Sequence, residues 1–388
     1  MESKFKNVLK NAALAAGVSV SVLSMAGAAE ARELRFASGA TQNSIGSESL
    51  EGFAAAIEEY SDGELQLRVF LQSLLSFMET PSGLRDGLAD FGSVLLPYFP
   101  GEFPSTILLT EMTMLLEASG ATPEQTAYAF SGAISEFVFE QCPECLDEFA
   151  NQNQVFIGAS GTTPYMLICN TPVRTAEEFR GKRIRTGGPQ WSRWTEELGG
   201  RPTSMSVSEV YEGLGQGVID CTAHNAPDMT SFSFIDVTSD VTTQVPGGGF
   251  GGIGTHMNAD SWRGLSPEHR EAIMRASARI HAKLPWLYVR DHNANMELVE
   301  ERDDISVHEP DQEFINRTRE FIEQDMERVA QRYSDRYNVN RAEEMVEEFS
   351  AVLDRWVELV DGTESLDELS EIYWDEVFSK VDVTSFGM

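Results

Sequence analysis

Residues 174–220 read RTAEEFRGKRIRTGGPQWSRWTEELGGRPTSMSVSEVYEGLGQGVID and carry the most informative pattern of the chain. Strands are predicted at Arg183–Arg185 and Val218–Asp220. Between them, apolar residues from Trp191 to Leu198 recur at helical spacing. Strands that alternate with helices in this way are typical of a doubly wound parallel α/β sheet. Ligands of such sheets bind at the carboxyl ends of the strands, where Arg185 stands.

The rest of the chain continues this alternation in both directions. Upstream, strands are predicted at residues 34–37, 65–69, 91–96, 155–157 and 165–169, with helices between most of them. Downstream, Pro246–Gly249 predicts a crossing between lobes, and a helix is expected from about residue 267 to 301 with a kink at Pro285. The chain is long enough for two separate cores. We therefore predict an α/β protein of two lobes, with residues 32–157 and 246–285 in lobe I, and residues 158–245 and 286–388 in lobe II, including the C-terminal helices.

The N-terminus has the order of a secretory signal peptide. Lys4, Lys6 and Lys10 precede a stretch of apolar and small residues at 12–28, and Ala-Glu-Ala at 29–31 matches a cleavage site. We predict a cleaved signal peptide over residues 1–31 and a periplasmic mature protein. The alternative is a membrane anchor, but the stretch is shorter than the ~20 apolar residues that a spanning helix needs.

Charge and motifs exclude several function classes. A formal net charge of −33 repels nucleic acid, so no nucleic-acid partner is expected. Residues 249–254 match GxGxxG, but no helical pattern follows them, which argues against a dinucleotide site. Histidines and cysteines lack metal-ligand spacing, so neither a metal nor a cofactor is predicted. Cys142 and Cys145 are interpreted as a local disulfide rather than free thiols, and Cys169 and Cys221 are left unassigned.

Arg185 is the leading binding residue. It belongs to a group of basic residues in an otherwise acidic chain, and it ends its strand beside Gly187. A guanidinium in that position can hold a carboxylate through two parallel hydrogen bonds. The alternative is a surface ion pair with Glu177 or Glu178, an interpretation that we prefer for Arg180 and Lys182.

Several motifs resemble those of a known family. TAEEFRGKRIR at 175–185, LGGRP at 198–202, EVYEGL at 209–214 and QGVID at 216–220 are similar to the solute-binding proteins of tripartite ATP-independent periplasmic (TRAP) transporters, the DctP-like family. The resemblance implies a two-lobe Venus-flytrap fold that captures a small organic acid and passes it to the membrane subunits of a transporter. It also implies that Arg185 binds the ligand carboxylate. Asn225 is the nearest match to a second family position, and His224 competes for it.

The remaining candidates concern the shape of the ligand. Many family members have a second arginine in the segment that corresponds to residues 158–170, but this chain has none there. A second ligand carboxylate would lack a cationic partner, so we expect a monocarboxylate rather than a dicarboxylate. Tyr165 and Trp191 are candidates for an aromatic wall, and the alternative for Trp191 is a place in the core of its helix. The first-lobe candidates are Asn43, Gln72, Ser93 and Tyr98. We expect a monomer.

Two other functions remain open at this point. The same lobes would suit a binding protein of an ATP-driven importer. A periplasmic enzyme is the other alternative, and Asp220, His224 and His256 are its only candidate polar cluster. No mechanism assembles from these three residues, so we predict a binding protein and not an enzyme.

Overall fold

The computed structural model describes residues 31–388, without the side chains of residues 117–119, and these residues form one compact unit. The predicted signal peptide lies outside them except for Ala31. The strands in chain order are β1 (Arg32–Ser38), β2 (Leu65–Leu71), β3 (Phe91–Leu95), β4 (Gln154–Ser160), β5 (Met166–Cys169), β6 (Arg183–Thr186), β7 (Arg201–Ser204), β8 (Cys221–His224), β9 (Asp240–Thr242), β10 (Ile253–Asn258) and β11 (Ser306–His308).

Helices occupy most of the remaining chain. The α-helices are α1 (Ile45–Tyr60), α2 (Thr80–Arg85), α3 (Pro104–Glu111), α4 (Thr113–Ser119), α5 (Pro123–Glu140), α6 (Pro143–Asn151), α7 (Ala176–Phe179), α8 (Pro189–Glu197), α9 (Val210–Gly215), α10 (Asp228–Ser231), α11 (Ala259–Arg263), α12 (Pro267–Glu300), α13 (Gln312–Tyr337), α14 (Ala342–Leu359) and α15 (Leu366–Glu376). Short 3-10 helices cover Leu96–Tyr98, Val207–Glu209, Phe234–Asp236 and Phe378–Lys380.

The first sheet has the strand order β2-β1-β3-β10-β4. β1 is parallel to β2 and β3, whereas β10 is antiparallel to β3 and β4. The sheet is therefore mixed and not wholly parallel as predicted, because β10 returns from the second sheet and enters in the opposite direction. Phe36 of β1, Phe53 of α1 and Phe91 of β3 are fully buried, and their ring centroids lie 5.8–6.1 Å apart. These three rings fix α1 on the face of the sheet, because aromatic pairs at this separation attract one another.

The second sheet has the strand order β11-β9-β5-β8-β6-β7. β6 is parallel to β7 and β8, and β5 is antiparallel to β8 and β9. The predicted strand at Val218–Asp220 is wrong in its position. Those residues belong to a turn in which Gly217 has a φ of 64°, and β8 begins only at Cys221. The two mixed sheets with their helices confirm the predicted two-lobe α/β class.

Two segments that connect the sheets run side by side. One leads from β4 to β5, and the other leads back from β9 to β10. The backbone N–H of Thr162 donates to the carbonyl of Phe250 (3.1 Å), and that of Tyr165 donates to Gly248 (3.0 Å). A Cβ atom at Gly249 would lie 2.3 Å from the carbonyl oxygen of Thr162, so only glycine permits this approach. The GxGxxG match therefore serves a close crossing and leads into a strand, not a helix.

The packing of the C-terminal helices differs from the predicted lobe assignment. α14 contacts α5, α15 contacts α5 and α12, and α5 packs against β4 of the first sheet. Phe349 of α14 meets Phe130 and Phe137 of α5, at centroid distances of 6.1 and 5.3 Å. This apolar contact places α14 with the first sheet. The predicted boundary after residue 157 also falls inside β4, so we propose that the first lobe includes all of β4 as well as α14 and α15.

The structure also shows the course of the long helix α12 and the pairing of the four cysteines. α12 runs from Pro267 to Glu300 and stays helical through Pro285. Cys142 and Cys145 form the disulfide that the sequence suggests. Cys169 and Cys221, unassigned from the sequence, face each other on β5 and β8 and are also joined.

Candidate ligand-binding site

A cavity lies between the two sheets, at the carboxyl ends of β1 and β3. Both lobes contribute to its lining. The first lobe supplies mainly hydroxyl groups and aliphatic side chains, which include Ser38, Ser44, Ser49, Leu50, Ser93, Leu95, Ser160, Ile253, Thr255, Ile280 and Leu284. The second lobe and the crossings supply Tyr165, Val207, His224, Asp228, Ser231, Phe232 and Phe250. A cavity of this composition suits a small ligand that has an apolar body and a few polar groups.

Arg185 lies at the end of β6 and has only 1% of its surface exposed. Its Nε donates to the carbonyl of Met205 (3.2 Å), and its Nη2 donates to the hydroxyl of Tyr98 (2.6 Å). Nη1 has no hydrogen-bond partner within residues 31–388, and no carboxylate of these residues lies within 4.0 Å. Arg185 is therefore a buried cation whose charge is uncompensated in this part of the chain.

Gly187 and Tyr98 define the space around the guanidinium. A Cβ atom at Gly187 would lie 3.2 Å from Nη1 of Arg185, so any larger residue would crowd this group. The hydroxyl of Tyr98 also accepts from the backbone N–H of Val207 (3.1 Å). Since Tyr98 belongs to the first lobe and lines the cavity, it joins the two lobes directly beside Arg185.

An aromatic stack forms one wall of the cavity. Tyr165 stacks on His224 with centroids 5.1 Å apart and on Trp191 with centroids 4.3 Å apart. Trp191 is fully buried behind Tyr165, and its indole N–H donates to the carbonyl of Gly247 (3.1 Å). Trp191 is not among the cavity-lining residues, because Tyr165 covers it, and its position is that of the helix core, the alternative that the sequence left open. Burial raises the pKa of Tyr165 well above its usual value, and the nearby Arg185 opposes this increase.

His224, Asn225 and Asp228 form a connected group at the end of β8. Burial lowers the pKa of His224, so this side chain is neutral at physiological pH. Its Nδ1 lies 3.0 Å from Oδ2 of Asp228, without the alignment of a hydrogen bond. Asn225 is fully buried and does not line the cavity; its Nδ2 donates to Asp228 Oδ2 (3.1 Å) and its Oδ1 accepts from the backbone N–H of Asp228 (3.1 Å). Asn225 therefore positions Asp228.

Of the first-lobe candidates, Ser93 and Tyr98 line the cavity, but Asn43 and Gln72 do not. Both of these residues are exposed and line a separate depression at the rim of the cleft, together with Tyr211 and residues 230–233. They adopt positive φ angles of 60° and 53°. Their polar side chains suit these turn conformations, and the prediction that they reach the ligand is not supported.

The possible enzymatic cluster is dispersed. Asp220 is paired with Arg183 at 2.6 Å. His256 belongs to the first sheet, where its Nδ1 lies 2.7 Å from Gln154 Oε1 and burial lowers its pKa to about 3. His224 alone of the three lines the cavity. The structure does not bring these residues together.

Two further findings concern the described residues as a whole. Within residues 31–388, no group of three or more His, Cys, Asp and Glu side chains is arranged to hold a metal ion. Among the helices of the same residues, none has both the length and the apolar character needed to cross a membrane.

The sequence model of the DctP family, described as bacterial extracellular solute-binding protein, family 7, matches residues 36–333. The chain belongs to this family. The resemblance found in residues 175–220 is thereby confirmed, and family 7 is a family of solute-binding transport proteins. Among curated relatives, a solute-binding protein of Chromohalobacter salexigens is 24% identical over 243 residues, which span 59% of this chain and 65% of the relative.

Solved structures support the same fold for this family 7 protein. A TRAP solute-binding protein of an unidentified marine microbe, specific for aromatic acids and bound to 3-hydroxybenzoate, has a TM-score of 0.70 and 18% identity, covering 84% of this chain and 99% of the other. A TRAP solute-binding protein of Bordetella bronchiseptica with bound mandelate has a TM-score of 0.69 and 20% identity, covering 85% and 100%. At this level of identity the likeness shows the fold alone.

Asp228 and Tyr288 are cavity residues that sequence reasoning missed. A weak signal existed for Asp228, because it follows His224 by four residues just after a strand. Tyr288 gave none, since it lies 60 residues further along the chain, within α12.

Proposed function

We propose that this protein captures a small organic acid anion in the cavity between its lobes and delivers it to the membrane subunits of a TRAP-type transporter. It would act in the periplasm as a monomer after removal of residues 1–31. The observation that carries the proposal is Arg185, a guanidinium with 1% exposure and no carboxylate within 4.0 Å among the described residues. Leaving a buried charge unpaired is costly, so a ligand carboxylate is the natural partner.

The surroundings of Arg185 suit a carboxylate. Nη1 has a free hydrogen-bonding position, and Gly187 leaves the space beside it open. The hydroxyl of Tyr98 accepts two hydrogen bonds from the protein, so its own proton remains to be donated. One carboxylate oxygen would bind Nη1 and the other would accept from Tyr98. Charge-assisted hydrogen bonds of this kind are stronger than neutral ones.

The count of cations favours a single carboxylate on the ligand. Arg185 is not itself a lining residue but contacts one, Tyr98, and within the described chain the lining contains no lysine or arginine that could serve as a second cation. The two lining histidines are neutral, because burial lowers the pKa of His224 and lowers that of His281 to about 3. A second carboxylate would therefore lose its water without gaining a cationic partner.

The similar proteins of known structure point in the same direction. The marine protein binds 3-hydroxybenzoate and the Bordetella bronchiseptica protein binds mandelate. Each of these ligands is a monocarboxylate with an apolar ring. Phe77, Tyr165, Phe250 and Leu284 offer comparable apolar surface in this cavity.

The test is a calorimetric titration of wild type and Arg185 variants with a panel of monocarboxylates and matched dicarboxylates. Arg185→Ala should weaken binding of the best acid by about 2–5 kcal/mol, because the ligand loses a desolvated ionic partner. Arg185→Lys should also bind poorly, since an ammonium cannot reproduce two parallel hydrogen bonds.

Arg183→Ala is the matched control. Arg183 lies on the same strand, is 42% exposed and pairs with Asp220, so its loss should leave affinity unchanged. Near wild-type affinity in Arg185→Ala would remove Arg185 from the site. Tight binding of a dicarboxylate, without binding of its monocarboxylate analogue, would show that a second cation reaches the cavity.

A further inference from the structure

Asp228 presents a second buried charge to the same cavity. The residue is 4% exposed, begins α10 and belongs to the cavity lining. Its Oδ1 accepts from the hydroxyl of Tyr288 at 3.2 Å, and its Oδ2 accepts from Nδ2 of Asn225 at 3.1 Å. No lysine or arginine of the described residues lies within 4.0 Å of it, and its nearest ionisable neighbour is His224. Within the described residues, its negative charge is therefore contacted only by neutral hydrogen-bond donors, Tyr288 and Asn225.

Arg185 and Asp228 act on the same pair of stacked rings. Apart from burial, which dominates both shifts, Arg185 lowers the pKa of Tyr165 and of His224, and Asp228 raises both. The two opposite charges are therefore near this stack, yet they do not form an ion pair with each other. An anion that offers only a carboxylate would compensate Arg185 and would leave Asp228 facing a closed, dry cavity. Burying a charge in that way is unfavourable.

The carboxylate of Asp228 has room for another donor. An ionised carboxylate provides about four acceptor positions, and two hydrogen bonds from side chains occupy it here. The bond from Tyr288 is long for O–H···O, whose usual length is about 2.7–2.8 Å. A ligand group with better alignment would therefore gain a charge-assisted hydrogen bond that Tyr288 makes only weakly.

We propose that Asp228 accepts a hydrogen bond from an O–H or N–H group of the ligand, so that the substrate is a monocarboxylate that also carries a hydrogen-bond donor. This inference rests on the proposed function, because it assumes that the ligand carboxylate is held by Arg185. Asn225 is then a positioning residue that fixes the orientation of the Asp228 carboxylate. The donor distinguishes the substrate from simple aliphatic and aromatic acids of the same size.

The experiment compares acids that share a skeleton. Phenylacetate, mandelate and phenylglycine form one series, and benzoate, 3-hydroxybenzoate and 3-aminobenzoate form another. In each series the first acid lacks a donor, the second carries a hydroxyl group and the third carries an amino group. Wild type should bind at least one donor-bearing acid of a series ten-fold or more tightly than its donor-free parent. The comparison of hydroxyl with amino identifies which donor the site takes.

Asp228→Asn then assigns the effect to this carboxylate. The variant should weaken binding of the donor-bearing acid by ten-fold or more, and it should leave binding of the donor-free acid unchanged or tighten it, because the parent no longer leaves a buried charge without a donor. Asp240→Asn is the control, since Asp240 is also a buried carboxylate but pairs with His308 on the second sheet. It should not change the preference for donor-bearing acids.

The outcomes separate this inference from the proposed function. If wild type binds the donor-free acid of each series as tightly as the donor-bearing acids, the inference is overturned and carboxylate capture stays intact. Equal weakening of both acids by Asp228→Asn also overturns it, because the residue would then only support the fold. If no acid of either series binds, the inference fails for these acids, and carboxylate capture fails as well only if the wider panel of organic acids also shows no binding. The wild-type comparison needs no variant, so it stands even if Asp228→Asn does not fold.

Discussion

Arg185 and Arg193 are two arginines of the second lobe that both reach the first lobe, and they meet opposite surroundings. Arg185 contacts the neutral hydroxyl of Tyr98. Arg193, on α8, binds Glu111 of α3 at 2.5 Å and Asp325 of α13 at 2.5 Å. Burial lowers the pKa of Arg193, but the two carboxylates raise it above its ordinary value. One arginine lacks a counter-charge among the described residues, and the other has two.

This difference separates a binding charge from a structural one. Glu111 is fully buried and also accepts a hydrogen bond from Tyr333, and the charge of Arg193 is compensated without any ligand. In our proposal, Arg185 gains a counter-charge only when a ligand binds. A buried ionisable group is therefore a better indicator of a binding site when its partners are neutral than when they are charged.

The largest expected effect comes from making the same substitution at both sites. Arg193→Met should destabilise the ligand-free protein by about 3–5 kcal/mol, because Glu111 would remain buried without a cation. Arg185→Met should leave the free energy of unfolding unchanged or raise it, since it removes an uncompensated charge. Urea unfolding of both variants measures this contrast. Equal destabilisation would mean that the two arginines play the same structural role.

A smaller effect is expected from the tyrosine that accompanies each arginine. Tyr98→Phe should weaken ligand binding by about 1–2 kcal/mol, because it removes one donor to the carboxylate. Tyr333→Phe should leave affinity unchanged but reduce stability by about 1–3 kcal/mol, since Glu111 would lose a donor. Calorimetry and thermal unfolding on the same two proteins provide the measurements. If Tyr98→Phe instead lowered stability and spared binding, Tyr98 would act only as a link between the lobes.

The smallest expected effect is that of pH. Burial lowers the pKa of His224 below its ordinary value of 6.5, so His224 stays neutral at higher pH and would become a cation only on acidification. Affinity for an ionised monocarboxylate should therefore vary by less than about three-fold between pH 6.5 and 8.5. A clear increase in affinity as pH falls across this window would reveal His224 as a second cation and weaken the contrast with the Arg193 network.

The sequence predicts the parts of the site that depend on local position. Arg185 could be found because it ends a strand in a short basic segment of an acidic chain. The two-lobe class followed from the alternation of strands and helices and from the family motifs.

Other features depend on contacts that spacing does not encode. The apolar spacing around Trp191 predicts a buried face of α8, but it does not tell which residue will cover that face, and Tyr165 does so. Likewise, α14 is visibly amphipathic, yet nothing in its pattern names α5 as its partner. Tyr288 joins the cavity only because α12 passes both lobes, and that arrangement is a property of the tertiary fold.

The disulfide between Cys169 and Cys221 gives this site an unusual covalent topology. The two cysteines are 52 positions apart, so the chain between them forms a closed ring that contains β6, β7 and Arg185 itself. In the loop-entropy description, closing a ring of this size raises the free energy of the unfolded chain by on the order of 4 kcal/mol. The corresponding value for the small Cys142–Cys145 ring is about 2 kcal/mol. A single break of the backbone inside the larger ring would leave both fragments attached. After one such cut, the arginine that we assign to the ligand therefore remains covalently linked to both fragments of the protein.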